Sequence, residues 1–261
     1  MPDIKVDDGY AIHVEMEGPD RAPVLMLSNS LGTDLHMWDE QVAPWTKHFR
    51  LLRYDRRGHG QSHVPKGPYT MERLGRDVVA VLDALNIAKI NWCGLSMGGM
   101  VGQWLGANAA SRIDRLILTN TSCFYPDKQA WADRIDFTRK NGMAGLAGPM
   151  MERWFTNDFR ERSPAAVARI KDMFEKTDIE GFLGCAAAIR DMDHRPLLPK
   201  IKAPTMIIAG RFDVATPPAM NELIQNEIPG AHFKLLEAPH MANIEQPQAY
   251  ADAVLEFLLC K

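Results

Sequence analysis

Gly94-Leu95-Ser96-Met97-Gly98 lies between the apolar run Ile90-Asn91-Trp92-Cys93 and a helix-like run that opens Met97-Gly98-Gly99-Met100-Val101. A strand, a tight turn and a helix in that order put a serine at the apex of a strained turn. Its hydroxyl then stands clear of the sheet, at the positive end of the following helix dipole. The flanking glycines leave room for the turn. The five-residue pattern alone is weak, because a serine in a glycine-rich turn also serves simply to pack a helix against a sheet. What separates the two cases is whether the rest of the chain supplies the groups such a serine needs.

A serine hydroxyl is a poor nucleophile at neutral pH and requires a base to take its proton and a third group to orient that base. Behind this type of turn the acid comes first in the chain and the histidine second. Thr205-Met206-Ile207-Ile208-Ala209-Gly210 reads as a buried parallel strand, and Asp213 follows its end by three residues. An acid just past a strand's carboxyl end faces the crevice of an open sheet. The next strand-like run, Phe233-Lys234-Leu235-Leu236, leads into Glu237-Ala238-Pro239-His240, which puts His240 on the adjacent loop.

Other histidines lose on position. His13 falls in an amino-terminal strand, His48 precedes a strand and His232 begins one at the wrong end. His36, His59 and His63 are in crevice-side loops and His194 lies in an inserted region, but none has a nucleophile and an acid in the expected order. Glu237 and Glu245 are alternative acids on the histidine's own loop, and Asp213 is preferred because it comes from the neighbouring strand. The other position for an acid, after Ile117-Leu118-Thr119, holds Asn120-Thr121.

With 261 residues, 46% of them apolar, the chain can bury roughly 70 to 75% of its unfolded surface in one core. Cys93, Cys123, Cys185 and Cys260 are scattered without metal-ligand spacing. Met1-Pro2-Asp3-Ile4-Lys5 carries no apolar signal run, so the expectation is a cytoplasmic protein with reduced thiols. No apolar run reaches the roughly eighteen residues of a membrane span. A net charge of −3 leaves no basic stripe for nucleic acid, and Arg56-Arg57, flanked by Asp55, belongs to a turn.

Strand and helix patterns alternate, the signature of an α/β fold with a mainly parallel sheet and helices on both faces. Strands are expected over Ala11 to Glu17, Pro23 to Ser28, Arg50 to Tyr54 and Ile113 to Thr119. Helices are expected over Met71 to Leu85, from the spacing of Leu74, Val78, Val81, Leu82 and Leu85, and over Gln246 to Leu259. Between residues 122 and 193 the alternation stops, and the segment is helical in pattern and rich in large apolar residues, among them Trp131, Phe137, Met150, Trp154 and Phe174. The expected organisation is a core of residues 1–121 and 194–261 with a helical cap inserted at 122–193. An insertion leaving the carboxyl edge of the sheet sits above the serine.

Over essentially its full length the chain resembles the alpha/beta-hydrolase superfamily. Within it the sequence is most similar to 3-oxoadipate enol-lactonases, in Gly94 to Leu105, in Arg115 to Ser122 and in Gly210-Arg211-Phe212-Asp213-Val214-Ala215-Thr216-Pro217-Pro218. Related esterases and cofactor-free haloperoxidases share Asp55-Arg56-Arg57-Gly58-His59-Gly60. One departure is that many relatives carry His-Gly where this chain has Asn29-Ser30. The resemblance implies hydrolysis of a cyclic enol ester by Ser96, His240 and Asp213, with the backbone N–H groups of Leu31 and Met97 as an oxyanion hole and no metal or organic cofactor. It also implies a small anionic lactone as substrate, whose carboxylate needs a counter-charge beside apolar walls. Trp131 and Arg134 are the first candidates, with Arg139 and Arg190 behind them. A broad-specificity carboxylesterase or perhydrolase is the alternative enzyme, and a non-catalytic receptor with a hydrolase fold is the alternative outside enzymes.

Overall fold

Apolar runs of four to seven residues bounded by turns become buried strands when both faces of a sheet are covered. In the computed structural model, which describes residues 3–260, these runs form the inner strands. The strands are β1 Ile4–Lys5, β2 Ala11–Ile12, β3 Val14–Glu17, β4 Val24–Ser28, β5 Arg50–Tyr54, β6 Ile90–Leu95, β7 Ile113–Thr119, β8 Thr205–Gly210 and β9 His232–Leu236. β1 and β2 pair as a small antiparallel ribbon, and the other seven form one sheet in the order β3-β5-β4-β6-β7-β8-β9. Only β3 runs antiparallel to its neighbour. β6 and β8 are buried along their whole length, as their apolar sequences require. Part of the segment Met1–Lys5 lies outside the described residues, and no helix among those described is long and apolar enough to cross a membrane.

The expected single strand from Ala11 to Glu17 is broken at His13. Its backbone N–H donates to Ser62 Oγ, not to a neighbouring strand, so residues on its two sides join different sheets. The helices are α1 Asp39–Trp45, α2 Met71–Ala84, α3 Met97–Asn108, α4 Lys128–Trp154, α5 Asn157–Arg162, α6 Pro164–Lys176, α7 Ile179–Asp191, α8 Pro218–Glu227, α9 Ala242–Glu245 and α10 Pro247–Leu259. α2 starts on the side chain of Thr70, which accepts from the N–H of Arg73, and buries Leu74, Val78, Val81 and Leu82 as the periodicity predicts. His36 lies on a short 3-10 turn, Leu35–Trp38, instead of a loop.

Helices α4 to α7 all lie between β7 and β8. The ends of this insertion meet where Phe124 and Asp193 form an isolated antiparallel bridge, which marks the neck of the segment we take as the cap. α4 changes direction at Gly142, whose φ of 71 no helix accommodates. Because β4, β6, β7, β8 and β9 are mutually parallel, their carboxyl ends open at one edge of the sheet, directly beneath the cap.

A tight contact at that edge joins α3 to β4. A Cβ placed on Gly98 would stand 2.1 Å from the carbonyl oxygen of Ser28, a main-chain atom that cannot turn aside. Gly98→Ala therefore forces α3 off the sheet. The expected cost is about 3 kcal/mol, at the upper end of ordinary overpacking. Urea unfolding should show a lowered midpoint at unchanged slope, and a variant as stable as the parent overturns this account of the turn.

Candidate active site

Ser96 leaves β6 with φ 57 and ψ −115, a conformation that costs a residue with a side chain on the order of 1–3 kcal/mol. Two bonds fix it there. Its N–H donates to Thr119 O at 2.8 Å, and its carbonyl accepts from Thr121 Oγ1 at 2.7 Å. The helix that follows has its first N–H groups directed back toward the serine, the ordinary consequence of a helix terminus.

Asp213 is buried just beyond β8, and all of its lone pairs have donors. Oδ1 accepts the N–H groups of Ala215 at 2.7 Å and Thr216 at 2.9 Å, while Oδ2 accepts Thr216 Oγ1 at 2.7 Å and His240 Nδ1 at 2.8 Å. Burial alone pushes its pKa up. The His240 charge and bond and the Thr216 donors outweigh that and hold the carboxyl below the usual value. An ionised carboxylate only accepts, so Nδ1 of His240 carries a proton, and in the neutral imidazole Nε2 is the nitrogen with the lone pair. The ring of Trp154 stacks on the imidazole, with centroids 6.2 Å apart and planes at 24°.

Ser96 and His240 line the same cavity of about 340 Å³. Among the described residues their side chains are not hydrogen-bonded to each other, and the His240 ring is held through Nδ1 on Asp213. Leu31 is on the cavity wall, and Met97 opens α3 directly after the serine. Among the described residues neither of their N–H groups has a protein acceptor. The Asn29 side chain is committed elsewhere: it accepts from Trp38 Nε1 at 2.9 Å and donates to Tyr54 O at 3.0 Å. Ser30 does face the cavity, and its buried Oγ has no partner.

The rival acids are occupied. Glu237 is at the surface in an ion pair with Arg211 at 2.6 Å, and Glu245 accepts from Thr156 Oγ1 at 2.6 Å and Thr156 N–H at 3.1 Å. Among the rival histidines, His63 accepts the Ala11 N–H and His194 faces Gln103. His59 is fully buried and its pKa is pushed down to about 3, by burial first and then by the charge of Arg56.

Trp131 and Arg134 both reach the cavity, with the guanidinium 4.4 Å from the indole centroid. Among the described residues Arg134 pairs with no carboxylate, and its pKa is lowered by burial and then by Arg153. Arg153, which the sequence did not single out, is also on the wall, and among the described residues its one hydrogen-bond partner through the side chain is Val214 O at 3.2 Å. Arg139 and Arg190 are excluded from the cavity: they pair with Asp136 and Asp191 and line a separate depression. Of the large apolar residues in the insertion, Trp131, Met150 and Trp154 contribute to the wall, whereas Phe137 is exposed.

The geometry agrees with what the chain resembles. Residues 23–247 match the model of the alpha/beta hydrolase fold family. A 3-oxoadipate enol-lactonase of Acinetobacter baylyi is 40% identical over 232 residues, 89% of this chain and 87% of that protein. The crystal structure of the enol-lactonase from Burkholderia xenovorans superposes with a TM-score of 0.97 at 44% identity, covering 99% of this chain and all of the other. A thermophilic esterase from Thermogutta terrifontis, 28% identical, superposes with a TM-score of 0.91, covering 99% and 97% of the two chains. The chain belongs to the alpha/beta hydrolase fold family, among relatives named 3-oxoadipate enol-lactonases.

Proposed function

We propose that the protein hydrolyses 3-oxoadipate enol-lactone to 3-oxoadipate through an acyl-enzyme on Ser96. The observation that carries this is a single cavity lined by Ser96 and His240 and also by Arg134 and Arg153, neither of which pairs with a carboxylate among the described residues, while Asp127 on the same wall caps α4. A neutral ester gives such a pair of cations nothing to bind, whereas a lactone with a carboxylate arm does.

In this mechanism the Ser96 hydroxyl adds to the lactone carbonyl as its proton passes to Nε2 of His240. Asp213 holds the imidazole and stabilises its cation. The N–H groups of Leu31 and Met97 receive the oxyanion, each worth about 3 kcal/mol in the transition state. Collapse breaks the ring C–O bond, and the enolate that leaves takes the proton from His240 and becomes the ketone. Water then adds to the acyl-enzyme and gives a proton to His240, which returns it to Ser96 as the second carboxylate departs. A conjugated enolate leaves more easily than an alkoxide, so opening the ring makes modest demands on the general acid.

Ser96→Ala is expected to lower turnover by a factor on the order of 10⁴ or more with the fold and product binding retained. Asp213→Asn should cost about 10⁴ through loss of charge and tautomer. Glu237→Gln, at the surface, should stay near parent activity. Steady-state kinetics on the three variants decide the assignment, and a severe loss at Glu237 with a mild one at Asp213 reverses it.

The pH dependence has a definite sign. Asp213, with its pKa held below the ordinary carboxylate value, contributes its stabilisation in full above that value and loses it only as pH falls through the lowered one. The orienting charge on Asp213 is therefore expected to persist into the mildly acidic range, and Asp213→Asn, which has no charge to lose, should lose less stability than the parent as pH falls below the ordinary carboxylate value; urea unfolding at several pH values checks this, and an equal loss in both proteins overturns it.

Substrate choice tests the cations. The enol-lactone should be preferred in kcat/KM over the corresponding lactone with its carboxylate esterified, because a charge held far from the carbonyl orients it against Ser96. Arg134→Ala and Arg153→Ala should each shrink the preference, by about tenfold or more where the contact is bidentate. Equal kcat/KM for the two lactones would mark the protein as an esterase of broad specificity.

A further inference from the structure

Arg56 is 2% exposed, yet among the described residues it pairs with no carboxylate. Asp55, its neighbour in sequence, accepts the N–H groups of Leu35 and Gln61, both at 2.8 Å. A buried guanidinium without an anion is costly, and its Nε–H has no partner at all. Its two terminal nitrogens instead donate to the carbonyl oxygens of Asn29 and, at 3.2 Å, of Ser30.

The second of these bonds matters most. The carbonyl of Ser30 and the N–H of Leu31 belong to one trans peptide and point in opposite directions. A group that grips the oxygen from behind fixes the direction of the N–H in front. Thr33 Oγ1 donates to the same oxygen at 3.0 Å, so the carbonyl has two donors. The next peptide is fixed as well: the N–H of Gly32 donates to Nε2 of His59 at 2.9 Å. That bond needs an unprotonated Nε2, which the depressed pKa of His59 preserves throughout the neutral range. The unpaired N–H of Leu31 thus lies between two anchored peptides, at the wall that Ser96 and His240 share.

We propose that Arg56 is a positioning residue for the oxyanion hole, whose charge on the Ser30 carbonyl polarises the Ser30–Leu31 peptide and strengthens the Leu31 N–H as a donor. It touches neither substrate nor the reacting atoms. The absence of a counter-ion is what leaves its field directed through the peptide, since a carboxylate at the same place would cancel it. This rests on the assignment of Leu31 to the oxyanion hole and of Ser96 as nucleophile. It does not depend on which ester is the natural substrate.

The test uses Arg56→Met, which keeps the length of the side chain and removes the charge, and Arg56→Lys, which restores a charge. Three quantities are measured: kcat and KM for an activated ester, the Ki of an aryl trifluoromethyl ketone that forms a tetrahedral adduct with the serine, and the Kd of 3-oxoadipate. Arg56→Met is expected to lower kcat about ten- to hundredfold, less than the loss of a whole donor. KM should change little. The ketone's Ki should rise by the same factor as kcat falls, while the Kd of 3-oxoadipate stays within about twofold, and Arg56→Lys should recover part of both losses. Thermal unfolding runs alongside, and replacement of an unpaired buried cation by an apolar side chain is not expected to lower Tm.

A kcat within twofold of the parent overturns the proposal, as does a fall in kcat that leaves the ketone's Ki unchanged. A fall in kcat, ketone affinity and product affinity together, with a lowered Tm, makes Arg56 merely structural and also overturns it. If Arg56→Met does not fold, Arg56→Gln, which also removes the charge, decides by the same comparison of kcat with ketone Ki, and parent values for both refute the idea. Retention of activity in Ser96→Ala is the separate sign that the underlying mechanism is wrong.

Discussion

The buried carboxamide of Asn120 is the joint on which the catalytic edge depends. Its Oδ1 accepts the N–H of Gly210 at 2.6 Å, and its Nδ2 donates to the carbonyls of Pro239 at 3.0 Å and His240 at 2.7 Å. One side chain thus ties the end of β7 to the end of β8, which carries Asp213, and to the loop that carries His240. Its backbone has φ 44, a conformation that asparagine tolerates better than most residues. Thr119 and Thr121 on its two sides hold Ser96, so Ser96, Asp213 and His240, the proposed triad, are referred to one short segment. An acid at position 120 could not make these bonds, because a carboxylate has no N–H to give. That is a physical reason for Asn120 to belong to the frame while the acid comes from the next strand.

The charges around the cavity fall into two kinds. Asp213 has every lone pair engaged, so it is an anion whose position and ionisation are both determined before substrate arrives. Arg134, Arg153 and Arg56 are cations that pair with no carboxylate among the described residues. Folding alone gives no return on an unpaired buried charge. The imbalance is understandable if negative charge enters with the ligand and then develops on its carbonyl, one cation group meeting the first and the other acting on the second through a peptide.

Much of this edge was legible in the sequence, because strand ends are. The apolar runs before Ser96 and Asp213 read as strands despite Asn91, so the fold class and the strand-turn-helix at Ser96 follow from periodicity and spacing. His13 was misplaced inside one strand, since apolar alternation continues through it and only the tertiary bond to Ser62 shows the break. Arg56 and Arg57 looked alike as a turn's basic pair. In the fold Arg57 joins Asp77 and Asp8, while Arg56 turns inward onto two carbonyls, a difference that no local pattern encodes. Arg153 was missed for the same reason, as it belongs to a long helical stretch that changes direction at Gly142, so its facing cannot be read from the pattern before that point.

The cap also constrains how a ligand enters. Trp154, at the end of α4, accepts the N–H of Met241 through its carbonyl at 3.1 Å, and Thr156 is held by both oxygens of Glu245. These bonds join the cap to the very loop that carries His240, and the ring of Trp154 rests on the imidazole. From the other side Phe174 packs edge-on against Trp154, at 5.5 Å and 81°, and covers Gly32, where a Cβ would meet its ring at 2.6 Å. A lid that lifted at this corner would drag the base and expose the oxyanion segment together. The exposed members of the wall are elsewhere: Pro126, Asp127, Ala130, Arg153 and Val214. An anionic ligand entering between the start of α4 and the loop after Asp213 would meet the exposed Arg153 before the half-buried Arg134, and under the proposed function both would act on it before it reaches Ser96.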